Sequence, residues 1–261
     1  MNLDYVKRVL GLEGKRAIVT GGNSGIGKGV AISLANMGAN VAILGRDQPT
    51  IDETVAQLKE IEPGCTGHRV DISSKSDVDS FFDGYYRESG GKLDILVANA
   101  GVCSAIRALD TTEADVDYFF DINYKGTLFC CQRAAEAMKE QKFGNIVIVT
   151  SVNALYPLPP QAAYSSTKGA LEVLMQCLAV DLAPFNIRVN SLAPGAIHTN
   201  IGRNNPNRPR NQGKARPNLP LGRVGEPEDM GDAVACLVSD AFRYMTGSTV
   251  LVDGGLKLRN V

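Results

Sequence analysis

The sequence predicts a single doubly wound α/β domain around a central parallel sheet of about seven strands. Three observations lead there. Short β-branched runs alternate with stretches of helical spacing along the whole chain, the pattern of βαβ units with a sheet covered on both faces. No Pro/Ser-rich linker, internal repeat or low-complexity tract divides the series. The length of 261 residues, 44% of them hydrophobic, suits one large α/β domain (1–261) with a sizeable core.

Composition narrows the partners. The net charge is −1 and the pI near 6.2, so there is no global basic footprint for nucleic acid. The opening "MNLDYVKRVL" lacks the apolar core of a signal peptide, and no apolar run reaches membrane-spanning length. The six cysteines show no CxxC pairing and no clustering with the two histidines. Free thiols in a cytoplasmic protein, with no metal site, are the expectation.

"RAIVT" (16–20) is the first strand and ends in "TGGNSGIGKGVAISLA", which begins at Thr20. Gly21, Gly25 and Gly27, with Asn23, Ser24 and Ile26 between them, sit just ahead of a helix predicted over 25–37. Glycines let a backbone approach a pyrophosphate, and a helix N-terminus offers unpaired N–H groups and positive dipole. The spacing is G-x-x-x-G-x-G, and a simple tight turn would use the same residues. "NVAIL" (40–44) is the second strand, and "GRDQ" hands over to a helix over 50–61. In dinucleotide folds an acid here binds a ribose 2′-hydroxyl and an arginine accommodates a 2′-phosphate. Counting from the glycines nominates Asp47, yet Asp47 also suits the N-cap of a helix starting near Pro49.

"GHRV" (67–70) and a helix over 76–88 come next, with Asp71 and Ile72 after the strand; Asp71 could cap a turn there. "LDILVA" (93–98) leads into Asn99, Ala100 and Gly101. One long helix is predicted over 112–140. Asn123 stands in it amid "FFDINYKGTLF", where a buried, unpartnered amide would be costly, so it should have a defined partner. "NIVIVT" (145–150) ends at Ser151, and helical spacing returns over 160–185. "IRVNSLA" (187–193) precedes Pro194, Gly195, Ile197 and Thr199. Residues 196–225 are irregular and rich in Asn, Pro and Arg, long enough for a lid. A helix over 226–239 and the strand "STVLV" (248–252) complete the series.

Tyr164 and Lys168 lie four apart and share one helical face. A free tyrosine, with a pKa of about 10, is a poor acid or base at neutral pH. Lowering it to about 7 takes roughly 4 kcal/mol, and one ammonium at about 4 Å supplies about that at an effective dielectric near 20. The lysine is therefore sufficient to make Tyr164 a general acid/base.

"TGGNSGIG" (20–27), "NAG" (99–101), Asn123, Ser151, "YSSTK" (164–168) and "PG" (194–195) occur together and in order. In this the chain resembles the short-chain dehydrogenase/reductase family from about residue 12 to its end. The resemblance implies a Rossmann-type domain and an NAD(P)-dependent oxidoreductase interconverting alcohol and ketone. It implies that Tyr164 exchanges a proton with the substrate oxygen and that Ser151 hydrogen-bonds the same oxygen. Lys168 would also bond the nicotinamide ribose, and Asn123 would hold a water linking Lys168 to solvent. "NAG" would pack beside the adenosine, and Asp71 and the Ile72 backbone would contact adenine. Pro194 and Gly195 would shape the turn beneath the nicotinamide, with Ile197 and Thr199 on its carboxamide or the phosphates.

The family register puts the ribose-binding acid at Gly45 and follows it with Arg46, as in members preferring NADP. NADP(H) is therefore expected, with NAD(H) the alternative. Substrate walls in the family would be "VCSAIRA" (102–108), "VNALYPLPPQ" (152–161) and 197–223. The last has no acid and carries Arg203, Arg208, Arg210, Lys214, Arg216 and Arg223, so it is either a solvated face or an attractor for an anionic substrate. The substrate expected is a small carbonyl or alcohol: a sugar, polyol, sugar acid or 3-oxoacyl compound, with a hydroxysteroid or bile acid as alternative. An epimerase or a non-catalytic dinucleotide sensor fits less well. The family implies a homotetramer or homodimer, and Leu171, Leu174, Met175 and Leu178 make a compatible stripe that a core face would share.

Overall fold

A computed structural model describes residues 2–199 and 219–260. Seven parallel strands form one sheet: β1 (Arg16–Thr20), β2 (Asn40–Gly45), β3 (Thr66–Arg69), β4 (Ile95–Ala98), β5 (Gly144–Val149), β6 (Ile187–Pro194) and β7 (Thr249–Val252), in the order β3-β2-β1-β4-β5-β6-β7. The single α/β domain predicted from the sequence is the one observed. β4 and β5 are buried at every residue, as continuous apolar runs require when both faces are covered.

The helices are α1 (Leu3–Leu10), α2 (Gly25–Asn36), α3 (Gln48–Ile61), α4 (Lys75–Ser89), α5 (Glu113–Phe119), α6 (Gly126–Gln141), α7 (Val152–Leu155), α8 (Ala162–Leu182) and α9 (Pro227–Val238). α2, α3 and α9 cover one face over Val30, Leu34, Ile51, Leu58 and Val234. α4, α6 and α8 cover the other over Phe82, Cys131, Met138, Leu171 and Met175. Part of the α8 stripe is thus core, with Leu171 and Met175 buried, while Val173 and Val180 are exposed on the outer side.

The long helix predicted over 112–140 is divided. Between α5 and α6 the chain makes a π-helical turn, Phe120–Lys125. Such turns insert one extra residue into a helix and rotate its C-terminal part. Here the turn places Ile122 and Asn123 inside. α1 has no counterpart among the sequence expectations and buries none of its residues; Asn2 caps it by accepting from Tyr5 N at 3.0 Å.

Strand order reverses at β1. The chain moves outward on one side to β2 and β3, then returns to place β4 on the other side of β1 and β5 beyond it. The connections that leave β1 and β4 therefore diverge to opposite faces. In open parallel sheets this split at the carboxyl ends is where ligands bind. The glycine turn, "NAG", Ser151 and Pro194 all stand at strand carboxyl ends.

Candidate active site

The glycine turn is shaped by close packing. Gly21 has φ +64°, and a Cβ there would stand 3.0 Å from the Ala100 Cα and from Asn99 Nδ2. A Cβ on Gly27 would strike the Gly21 carbonyl oxygen. Asn99 holds the turn: its side-chain amide donates to the Thr20 and Gly21 carbonyls at 2.9 and 3.4 Å. The Asn99 and Ala100 N–H groups both donate to Thr20 Oγ1 at 2.9 Å. Asn23 ties the turn to α3 by donating to Thr50 Oγ1 at 2.7 Å. Ser24 precedes α2 without any side-chain capping bond, so the first-turn N–H groups of α2 lack a side-chain acceptor. Thr199 closes the other side, 3.3 Å from where a Gly25 Cβ would be.

At the far end of this trough Arg46, Arg69, Asp71 and Asp77 line a depression of about 350 Å³. Arg46 Nη1 is 4.0 Å from Asp71 Oδ2, and both side chains are largely exposed. The other Asp71 oxygen accepts from Ser73 N and Oγ at 3.0 and 2.7 Å, so the residue caps its turn and faces the depression together. Asp47 N-caps α3, accepting from Thr50 N at 3.2 Å. Arg69 was missed by sequence reasoning: it pairs with Gly45 across the β2–β3 ladder, and its Nε donates to the Arg46 carbonyl at 3.2 Å. Gly45 has a reason of its own, since a Cβ would meet Asn23 Oδ1 at 2.5 Å. Ile72 points away from this depression, buried against Gly126.

The inner end of the trough is buried and hydrogen-bonded. Lys168, 4% exposed, donates from Nζ to the Val149 carbonyl at 2.8 Å. Ser151 caps α7 by accepting from Asn153 N at 3.1 Å, and its hydroxyl faces the Tyr164 phenol. Asn123, fully buried, donates to the Val102 carbonyl and Thr167 Oγ1 at 3.0 Å each and accepts from Val102 N at 2.8 Å. Its partner is thus defined, and its side chain fixes the loop after "NAG". Gly101 lies against it: a Cβ there would be 3.0 Å from Asn123 Oδ1 and 3.6 Å from Lys168 Nζ.

One sequence expectation needs correction. The Lys168 ammonium lies 5.9 Å from the Tyr164 ring centroid and donates to the Val149 carbonyl, and the phenol is raised rather than lowered. Burial pushes the Tyr164 phenol up, the Cys103 thiol adds to this, and the Ser151 hydrogen bond opposes it. Burial also pulls Lys168 down from 10.5 to about 8, with Cys103 and Glu172 opposing. Desolvation of the charged forms therefore outweighs the mutual effect of the pair.

A family model described as enoyl-(acyl carrier protein) reductase matches residues 21–257. L-rhamnose 1-dehydrogenase (NAD(P)(+)) of a Sphingomonas species is 35% identical over 247 residues, 94% of this chain and 97% of that protein. The chain belongs to the short-chain dehydrogenase/reductase family. A 3alpha-hydroxysteroid dehydrogenase of Mediterraneibacter gnavus is also 35% identical, over 251 residues covering 94% of this chain and 98% of that one. A short-chain type dehydrogenase/reductase from Mycobacterium marinum superposes with a TM-score of 0.85 at 33% identity, covering 96% and 98% of the two chains. The protein is accordingly an oxidoreductase acting on CH–OH groups.

Pro194 ends β6, and a Cβ on Gly195 would strike Asp253. Ile197 pairs with Gly225 in a short parallel bridge, and His198 Nδ1 lies 2.7 Å from Glu226 Oε1. Arg203, Arg208, Arg210, Lys214 and Arg216 lie outside the described residues. Arg223 is engaged by Asp229 through two bonds of 2.6 and 2.8 Å. Among the described residues no three His, Cys, Asp or Glu side chains cluster to hold a metal, and no helix is long and apolar enough to cross a membrane.

Proposed function

We propose that the protein is an NADP(H)-preferring oxidoreductase that interconverts a secondary alcohol and a ketone on a small polyhydroxylated substrate, with Tyr164 as general acid/base. The observation that carries this is the placement of Ser151 and the Tyr164 phenol beside buried Lys168, at the end of a glycine trough. The trough suits a nicotinamide dinucleotide: its glycines let the turn pack closely against Asn99, Ala100 and Thr199, and the α2 N-terminus offers N–H groups that no side chain caps. Gly21, Asn23, Ser24, Gly25, Ile26 and Gly27 would hold the phosphates with Thr199. Asn99, Ala100, Gly101, Asp71 and the Ile72 backbone would flank the adenosine; Pro194, Gly195 and Ile197 would flank the nicotinamide. Bound there, the cofactor supplies or accepts the hydride at the carbonyl carbon.

The chain's own residues manage the oxygen. Burial keeps Tyr164 protonated across ordinary working pH, so in reduction it donates its proton to the carbonyl oxygen. Ser151 holds that oxygen by its hydroxyl as charge develops. Lys168 has three ammonium donors, of which Val149 takes one; the others serve the ribose and the proton path. The Asn123 amide positions the Val102 loop and Thr167, so a relay water would sit on the backbone of the π turn rather than on that amide.

A polyhydroxylated substrate is supported by a polar wall next to Ser151. Asn153, 4% exposed, donates to Gln161 Oε1 at 2.5 Å, and Gln161 Nε2 donates to Cys103 Sγ at 3.0 Å. Polar groups on a pocket wall can bond substrate hydroxyls, and a site built to do so rejects ligands that lack them. A hydroxysteroid is the second reading, favoured by exposed Leu155 and Tyr156 on the same segment. The cofactor reading rests on Arg46, for which a phosphate contact of the charge-assisted kind is strong. A panel of sugars, polyols and hydroxysteroids, run with NADPH and NADH and their oxidised forms, tests both. The expected result is turnover of a sugar or polyol with NADPH favoured at least about tenfold in kcat/KM. Turnover confined to steroids, or NADH equal to NADPH, overturns the respective part. A homodimer or homotetramer through the outer face of α8, where Val173 and Val180 are exposed, is the oligomer to look for by light scattering.

A further inference from the structure

Glu172 is a buried acid that takes no part in the proton and hydride steps. It lies one turn of α8 beyond Lys168, so Tyr164, Lys168 and Glu172 form a single stripe at i, i+4 and i+8. The residue is 7% exposed. Its carboxylate accepts three hydroxyl hydrogen bonds: Oε1 from Thr150 at 2.5 Å, Oε2 from Ser191 at 2.9 Å and from Thr249 at 2.6 Å. Thr150 directly succeeds β5, Ser191 lies in β6 and Thr249 opens β7. A charge that leaves water needs compensation of this kind, and three donors to the ionised form provide it.

The strand end opposite is engaged in step. The Val149 carbonyl takes the Lys168 ammonium, the Thr150 hydroxyl goes to Glu172, and the Ser151 hydroxyl meets the Tyr164 phenol. Three consecutive strand residues thus meet the three members of one helix stripe. Losing the Glu172 contact leaves Thr150, between the lysine's anchor and the catalytic serine, held only by its bonds to the Leu192 carbonyl. Side chains at i and i+4 have Cβ atoms about 5–6 Å apart, and buried charges at that range are little screened by salt.

We propose that Glu172 is a positioning residue that keeps Lys168 protonated and holds Val149–Ser151 in register with Tyr164. It acts through Lys168 and touches no reacting atom. The inference rests on the reading of Tyr164 and Lys168 as the acid/base pair. The groups that face Lys168 are Tyr164 and Glu172 from its own helix and the Cys103 thiol from the loop after β4. The π turn presents the uncharged Asn123, and β5 presents the Val149 carbonyl. Glu172 is the carboxylate among them, and it raises the Lys168 pKa against the downward pull of burial.

The test is the pH dependence of carbonyl reduction with saturating NADPH. Replacing the carboxylate by an uncharged group removes the anion that favours the ammonium, so the Tyr164–Lys168 pair loses its proton at lower pH. In Glu172→Gln the alkaline limb of kcat/KM should move down by about one pH unit, and in Glu172→Asp, which keeps the charge, it should stay near the wild-type position. Circular dichroism checks folding, and Glu172→Met is the second charge-free variant should the glutamine variant not fold. A limb that stays where the wild type has it in either charge-free variant, with kcat/KM lowered equally at every pH, overturns the proposal and leaves Glu172 a structural clamp. A Tyr164→Phe control separates the two levels. If that control keeps wild-type turnover, the acid/base reading itself has failed; if it is inactive while the limb does not move, only the role of Glu172 has.

Discussion

The two ends of the trough handle charge in opposite ways. At the inner end every charged side chain is buried and hydrogen-bonded: Lys168 to a strand carbonyl, Glu172 to three hydroxyls. At the outer end Arg46, Arg69 and Asp71 meet across an open depression, and the closest ion pair is 4.0 Å long between exposed groups. Exposed pairs contribute little and are screened by salt, whereas buried charges shift protonation and resist screening. On the proposed reading the inner end sets proton affinity, and the outer end selects the cofactor by long-range charge. Chemistry and cofactor selection should therefore separate under mutation, pH and salt.

The largest separation is expected from Tyr164→Phe. It removes the acid while leaving the trough intact, so kcat/KM should fall at least a hundredfold, about 2.7 kcal/mol. NADPH binding by fluorescence titration should change less than about twofold. Retention of more than about a tenth of wild-type kcat/KM removes Tyr164 from the acid/base role. Lys168→Met should damage both ends of this distinction, lowering kcat and weakening NADPH binding together. Its pH behaviour has a definite sign. Lys168 sits at about 8 in the folded protein against 10.5 ordinarily, because burial disfavours the ammonium. Between those two values the unfolded chain binds more protons at this residue than the folded one, so its contribution to stability rises with pH across that window. Below it, the folded state bears the full cost of the buried charge. Urea unfolding at pH 7.5 and pH 10 should therefore show a difference between wild type and Lys168→Met that shifts in favour of the wild type at the higher pH. A pH-independent difference contradicts the shift.

Arg46→Ala comes next and should act on the outer end alone. The NADPH/NADH ratio of kcat/KM should fall about tenfold through KM, with kcat on NADH unchanged. An unaltered ratio would mean that Arg46 faces solvent. Arg46 is a cleaner target than Gly45, because any side chain at Gly45 meets Asn23 in the glycine turn. The smallest effect belongs to Thr167→Val, which deprives the Asn123 amide of one acceptor. A buried unsatisfied donor costs about 1–3 kcal/mol, so thermal unfolding should register it while kcat changes less than about threefold.

These contrasts also divide what the sequence makes legible from what it hides. The strands, the glycine turn and the Tyr164–Lys168 pair could be read because each is a local pattern: a short β-branched run, a glycine cluster between strand and helix, and an i, i+4 spacing. Asp47 as a helix cap could be read for the same reason, from its place before Pro49. Burial could not. The spacing of Tyr164 and Lys168 shows that they share a face, but the direction in which each titrates comes from desolvation by the whole fold, and there burial prevails over the pair. Arg69 enters the depression through a β2–β3 pairing to Gly45, a contact between distant positions that no local pattern marks. Glu172 finds its three donors on β6, β7 and the residue after β5 in the same way. The π turn at Phe120–Lys125 escapes because one added residue barely alters helical spacing. α1 is different: Asn2, Asp4 and the basic Lys7 and Arg8 are ordinary helix-end signals, so this helix is legible in the sequence although the strand–helix alternation does not call for it.

The most direct measurement is steady-state carbonyl reduction over a salt series from about 0.02 to about 0.5 M at pH 7, in buffer free of phosphate. An exposed outer end that offers Arg46 to a phosphate and a buried inner end predict that KM for NADPH rises severalfold across the series, that KM for NADH moves far less, and that kcat stays level. A KM for NADPH that ignores salt, or a kcat that falls with it, would contradict the division of the trough into a screened end that selects the cofactor and a shielded end that moves the proton.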